Sequence, residues 1–372
     1  MKIHKFLIVI LSLIIFVIAS FNSGFFHKKL GFDEVHYVNA AKKGIIINAI
    51  DGSDPSFLEF AKFGLAKYQK DYESIERLTQ TMIPEEDQLF HLRHFHPPVP
   101  VYFWSFFVSN DSKLSDLRLR FSSVIFFIFF ISSFLIMGNK SPHGSLSLSP
   151  IQALLAISFF TSQIFFWSNA SLNFHIFHAL ACLFFSYSLQ NFLVKSSKKN
   201  EWILAFSLAG LFLTLETGVF VAFIGLLILV FMKGLKYVIS LDLIKILFKG
   251  LFILIILWPG IIFSGAPLKS WLMYAYRIFV NANEEYATVQ ILNNYKSLFL
   301  SNTLLIILSI ISLLTIIFYR KNIYRESFYV PAILGLSYGI FLSPFILSFT
   351  YFIPALSLII FALYNGLRST NV

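Results

Sequence analysis

WILAFSLAGLFLTLETGVFVAFIGLLILVFM, residues 202–232, is apolar throughout except at Thr214-Leu215-Glu216-Thr217 near its middle. How many spans this stretch contains sets the architecture of the whole chain. It is long enough for two short membrane spans meeting at Glu216, or for one long span in two tilted halves. Hydrocarbon excludes ionisable side chains unless they serve a purpose, so we read a hairpin with Glu216 at its tip. The choice also fixes parity, because a miscount by one span would turn every later link to the opposite face.

Outward from the hairpin the same pattern repeats. Apolar runs at 6–21, 117–137, 151–167, 172–194, 246–263, 298–319, 328–347 and 349–367 alternate with polar links. With the two arms of the hairpin they predict about ten transmembrane helices. The 372 residues are 57% hydrophobic and 13% charged, where soluble domains carry about a quarter charged residues, and the mean hydropathy is +0.75. The class is therefore an all-α polytopic membrane protein. The net charge of +10 does not indicate nucleic acid, because the Lys and Arg residues cluster in short links between apolar runs. Residues 1–23 have the form of a signal peptide, and we read them as an uncleaved signal anchor because more spans follow. Cys182, the single cysteine, lies in an apolar run and allows no intrachain disulfide. With the N-terminus in the cytoplasm, the links carrying Lys140, Lys195, Lys233, Arg320 and Arg368 all fall on the cytoplasmic side. The two long polar stretches, 23–116 and 264–296, then lie outside as loops of a single domain spanning 1–372.

Ionisable groups gather in the first of these loops. Asp33-Glu34 stands at the exit of the first apolar run. Asp33 is either the cap of a helix over 34–43 that ends at Gly44, or a partly desolvated general base. Over 54–78, Phe57, Phe60, Tyr68, Tyr72, Ile75 and Leu78 recur at helical spacing with lysines between them. That predicts one amphipathic helix, started by Asp54-Pro55, lying on the membrane surface or packed on its own loop. His91, Arg93, His94 and His96 follow, ahead of Pro97-Pro98. Three histidines in six positions suit a metal, whereas Arg93 with His96 suits a phosphate. The proline pair is expected to hold an extended backbone beside His96. A second interfacial helix is predicted over the aromatic-rich 99–108. Arg118 and Arg120, at the outer end of the next span, either snorkel or face anionic groups. Arg277, in the second loop, is a phosphate ligand or a surface cation. His175 and His178 read as hydrogen-bonded packing residues.

These pieces, in this order, carry a resemblance. Gly31-Phe32-Asp33-Glu34-Val35-His36-Tyr37 and His96-Pro97-Pro98-Val99-Pro100-Val101-Tyr102 are similar to two motifs of the GT-C membrane glycosyltransferases. The resemblance is especially to the protein O-mannosyltransferase and lipid A aminoarabinose transferase relatives (glycosyltransferase family 39 type). Arg118-Leu119-Arg120-Phe121-Ser122-Ser123 resembles their Arg-Leu-Pro-Ser segment, Gly210 to Thr214 their glycine-leucine hairpin, and Tyr351-Phe352-Ile353-Pro354 their Tyr-Leu-Leu-Pro. Three departures stand out. Leu215-Glu216 replaces a lysine of the hairpin, Asn173 stands where relatives carry Asp, and no basic residue directly precedes Tyr351.

The resemblance implies a GT-C-like bundle with interfacial helices in the first outer loop. It also implies an enzyme, a hexosyl- or pentosyltransferase, using a polyprenyl-phosphate sugar donor. The acceptor hydroxyl would belong to a glycolipid, polysaccharide or protein at the outer face of a bacterial cytoplasmic (inner) membrane. Asp33 would be the general base, and Glu34 would orient the acceptor or help hold a divalent cation. The one cofactor left open is a divalent metal cation, with His94, His96 and Glu34 as its candidate ligands. Arg93, His96, Arg277 and Tyr351 would contact the donor phosphate. Tyr37, Tyr102 and Trp104 would border the acceptor or lipid groove. The alternatives are a transporter or flippase of a lipid-linked sugar, and a non-catalytic assembly subunit. Against transport, the sequence has no internal repeat and few charges along its apolar runs.

Overall fold

The structure is a computed structural model that describes residues 2–22, 24–26, 32–50, 62, 64–66, 68–82, 97–109, 112–140, 172–263, 310, 325–342 and 352–368. Among these residues every regular element is helical. The loop side carries α1 (Lys2–Asn22), α2 (Phe32–Lys42), α3 (Gly44–Ile50), α4 (Tyr72–Met82) and α5 (Val99–Trp104). The bundle carries α6 (Ser112–Lys140), α7 (Phe174–Val194), α8 (Lys198–Thr214), α9 (Gly218–Lys233), α10 (Leu241–Leu257), the four-residue α11 (Gly260–Phe263), α12 (Arg325–Leu342) and α13 (Ile353–Arg368). A short 3-10 turn, Leu235–Ile239, joins α9 to α10.

The hairpin is present. α8 and α9 are separated by Leu215, Glu216 and Thr217, and all three are buried. Gly218 makes the turn possible, because a Cβ there would collide with the carbonyl of Leu211. α7 is the centre of the bundle. α6, α8, α9, α12 and α13 all pack on it, and α10 packs on the far side of α8. α12 and α13 lie close together where Gly335 faces the carbonyl of Ala355, and a Cβ there would stand 2.9 Å from that oxygen.

Polar side chains start these helices where the apolar pattern alone does not. Asn173 caps α7, Ser197 caps α8 and Ser240 caps α10, each accepting a backbone N–H of the first turn. Ser240 starts α10 before the predicted 246, and the Trp258-Pro259 break ends it at Leu257, short of the predicted 263. Hydropathy follows apolar content, whereas helix ends follow caps and prolines. Among the described residues two helices, over Asp116–Gly138 and Phe174–Val194, are long and apolar enough to cross a membrane.

Contacts between helices sort their termini into two ends. Thr214, at the C-terminus of α8, bonds His178 near the start of α7, and Thr217 bonds Tyr338 near the end of α12. At the other end Lys233 reaches Ser196, Lys249 reaches Glu201, and Gly138 of α6 packs on Tyr364 near the end of α13. The links carrying Lys195, Lys198, Lys199, Lys233 and Lys236 therefore share this second end.

Three local expectations are corrected. The amphipathic helix is not continuous, since Lys70 adopts φ 56° and Asp71 is non-helical. Asp71 Oδ1 instead accepts the Ser74 N–H at 3.1 Å and restarts the chain as α4. The helix predicted over 99–108 is shorter, and it turns Val101 and Trp104 into the core. Pro98 is not extended but has φ −84° and ψ −14° as the N-cap of that helix.

Candidate functional site

α2 delivers the acidic pair to the bundle. Its first residue is Phe32, so Asp33 lies within the first turn and is not the residue before the helix. Acidic residues favour that turn because its N–H groups lack helical partners. The Asp33 side chain lies outside the described residues, as do Arg93, His94, His96, Arg277 and Tyr351.

Glu34 is fixed. Its Oε1 accepts the backbone N–H of Leu172 at 3.0 Å and stands 3.9 Å from the Arg120 guanidinium. The two side chains are 6% and 2% exposed. Arg120 also lies over the Phe25 ring at 5.4 Å. One carboxylate thus ties α2 to α6, to the residue leading into α7, and through Arg120 to the turn after α1. A buried charge is tolerated when paired and hydrogen-bonded, and each partner here supplies what the other needs. Arg120, expected to snorkel or to face an anionic group, faces the Glu34 carboxylate. Arg118, two residues earlier, remains exposed.

One turn beyond Glu34, Tyr37 stacks on Trp104 at 5.6 Å and meets Phe174 edge-on at 4.8 Å. Trp104 also packs edge-on against Phe174 and Phe177. These aromatics bury about 150–250 Å² each, and they form the wall that seats α2 and α5 against α7. Tyr37 and Trp104 are buried within this wall. Tyr102 is only partly buried, and its hydroxyl donates to the Leu257 carbonyl at 2.9 Å, tying α5 to the end of α10. Trp104 itself lines a shallow crevice together with Phe103, Ser122, Ser123, Asn173 and Ile176, among others.

A second polar group is sealed inside the bundle. Thr214 donates its hydroxyl proton to the Gly210 carbonyl at 3.0 Å, so its oxygen must accept from His178 Nδ1–H at 2.9 Å. His178 Nε2 then holds a lone pair towards Cys182 Sγ at 3.5 Å. Tyr338 donates to Thr217 at 2.7 Å, and its ring lies 6.0 Å from that of His178. His178 is the hydrogen-bonded packing residue its position predicts. Glu216, at the tip of the hairpin, is buried beside Thr217.

Among the described residues no group of three His, Cys, Asp or Glu side chains is placed to hold a metal ion. Glu34, a candidate ligand from the sequence, is engaged by Leu172 and Arg120. Asn173 has a clear structural role, because its Oδ1 accepts the His175 N–H at 2.7 Å as the α7 cap. Comparison of the chain with protein-family models, with curated proteins and with solved structures finds no match.

Proposed function

We propose that the chain is an integral membrane glycosyltransferase that takes a sugar from a polyprenyl-phosphate donor. The observation that carries this reading is the fixing of the Asp33-Glu34 turn through Glu34 at one end of an apolar bundle, opposite the lysine-rich links. A base that must work at the bilayer surface needs a rigid seat, and the turn has one.

The embedding has its own support. Besides the two long apolar helices, large apolar side chains face outward on α1, α6, α9 and α10, including Phe21, Phe129, Phe231, Phe248 and Phe252. Exposed large apolar side chains in this number suit lipid and not water. In the reading of about ten spans, the lysine-rich end is cytoplasmic and Glu34 lies at the outer face.

In the reaction, the acceptor hydroxyl gives its proton to the Asp33 carboxylate as its oxygen attacks the anomeric carbon. The bond from that carbon to the donor phosphate oxygen breaks, and the polyprenyl phosphate leaves with the electron pair. Attack opposite the leaving group inverts the anomeric centre through an oxocarbenium-like state. Arg93, His96, Arg277 and Tyr351 are the proposed phosphate contacts, stabilising charge as it develops. Glu34 acts here as a positioning residue for Asp33, and its engagement by Arg120 argues against a direct role in holding a cation. A transporter reading would need polar groups lining a path, whereas the polar groups described inside the bundle are sealed.

The test uses purified protein in liposomes with a polyprenyl-phosphate sugar and candidate acceptors. Wild type should consume the donor, and Asp33→Asn should not, with unchanged folding. Wild-type turnover by Asp33→Asn would remove the catalytic assignment.

A further inference from the structure

The end of the bundle opposite Glu34 gathers two links that are distant in sequence. Lys233 Nζ donates to Ser196 Oγ at 3.3 Å, joining the α7–α8 link to the end of α9. Lys249 reaches Glu201 Oε2 at 2.7 Å, joining α10 to the start of α8. Around these contacts Lys195, Lys198, Lys199, Lys233, Lys236 and Lys245 are exposed. The nearby carboxylates are both engaged, Glu201 by Lys249 and Asp242 by Lys245 at 3.7 Å. The patch is therefore strongly cationic.

Its apolar border is as informative as its charge. Gly234, at φ 92°, turns the chain out of α9, and Phe231 and Leu235 on either side are 88% and 78% exposed. Leu241 and Met232 are exposed beside them. Trp202 stands half-exposed with the Lys249 ammonium 4.9 Å above its ring, an arrangement suited to headgroup depth. Tyr237 anchors the turn against Phe192 at 6.5 Å. Apolar side chains bordering a ring of lysines match a bilayer surface, with hydrocarbon on one side of the headgroups and phosphates level with the ammonium groups.

We propose that this collar binds anionic phospholipid headgroups of the surrounding leaflet, with the Lys195–Lys199 link and the Lys233–Lys236 link gripping one headgroup cluster together. The inference rests on the membrane embedding proposed above and is independent of the sugar-transfer chemistry. Each lysine near a charged surface strengthens association about fivefold, so removing three should weaken it roughly a hundredfold.

The experiment is thermal unfolding of the full chain in a neutral detergent, titrated with phosphatidylglycerol, phosphatidylcholine or glycerol phosphate. The comparison protein is K198Q/K199Q/K236Q, whose three side chains are exposed, so its melting temperature without lipid should match wild type. Wild type should be stabilised by phosphatidylglycerol well beyond phosphatidylcholine, and less so at high salt. The triple variant should require far more phosphatidylglycerol for the same gain. Equal stabilisation by the two lipids, or a wild-type response from the triple variant, would overturn the proposal. Reproduction of the effect by glycerol phosphate would assign the site to soluble anions instead. A protein that leaves the membrane fraction without detergent would overturn the embedding and the collar together.

Discussion

Replacing Glu34 with Ala tests the seat of the acidic turn. The substitution removes the acceptor of the Leu172 N–H, a charge-assisted bond worth about 1.5–3 kcal/mol. It also leaves Arg120 without its carboxylate. At 3.9 Å and an effective dielectric near 20, the gross attraction between them is about 4 kcal/mol. Both side chains are nearly inaccessible, so solvent cannot replace the lost partner, and a net loss of about 3–5 kcal/mol is expected. Glu34→Gln keeps an oxygen for Leu172 and should lose less. Arg120→Met alone should be costly for the same reason as Glu34→Ala, because it strands a buried carboxylate. Combining Arg120→Met with Glu34→Gln removes both charges and should recover part of the loss. The assay is thermal and denaturant unfolding of the four proteins in one detergent, read as a double-mutant cycle. A coupling below about 0.5 kcal/mol, the range of independent sites, would refute the claim that this pair fixes α2.

Gly218→Ala should destabilise by about 1–3 kcal/mol through its clash with the Leu211 carbonyl, while Gly210→Ala, with no neighbour within 4 Å of its Cβ, should be neutral or stabilising by about 0.5–1 kcal/mol. Melting temperatures of the two variants check the contrast. Burial pushes the Tyr237 phenol up to about 12, so above pH 10 the unfolded chain releases this proton while the folded chain keeps it. Stability should accordingly fall as pH rises from 10 to 12, and that part of the fall should vanish in Tyr237→Phe, which should match wild type at neutral pH. In a Cys182→Ala background, a cysteine at Ser53 should react with an impermeant thiol reagent in intact cells (spheroplasts where an outer membrane intervenes). A cysteine at Ser196 should react only after permeabilisation, and the reverse pattern would invert the topology. If Arg277 and His96 share one donor phosphate, Arg277→Lys should weaken donor binding less than Arg277→Ala, measured by direct binding.

The hairpin at Glu216 was legible because a polar interruption in a long apolar run has few structural explanations. The gathering of Lys195, Lys198, Lys199, Lys233 and Lys236 at one end of the bundle was legible from the alternation of apolar runs and basic links. Helix boundaries were less so. Ser240 and Pro259 bound α10, and neither changes the average hydropathy that marks a span. The break at Lys70 was missed because apolar spacing runs through it, although Asp71-x-x-Ser74 is itself a readable cap pattern. The partnership of Glu34 with Arg120 was out of reach in a different way. Burial requires a partner for each, but nothing local says which of the distant charges provides it. The aromatic wall of Tyr37 and Trp104 shows the converse ambiguity, since aromatic residues near a polar motif suit a groove and a core equally well.

The sealed chain from Cys182 through His178 to Thr214 has a kinetic consequence. The only thiol in the molecule is buried at the centre of α7, with its S–H directed to an imidazole nitrogen. An alkylating reagent can reach it only when α7 parts from its neighbours. The rate of modification of the unaltered protein is therefore a clock for opening of the bundle, set by the population of the opened form when closing outpaces the reaction. A ligand or lipid that holds the helices together should slow that clock, without any label being introduced.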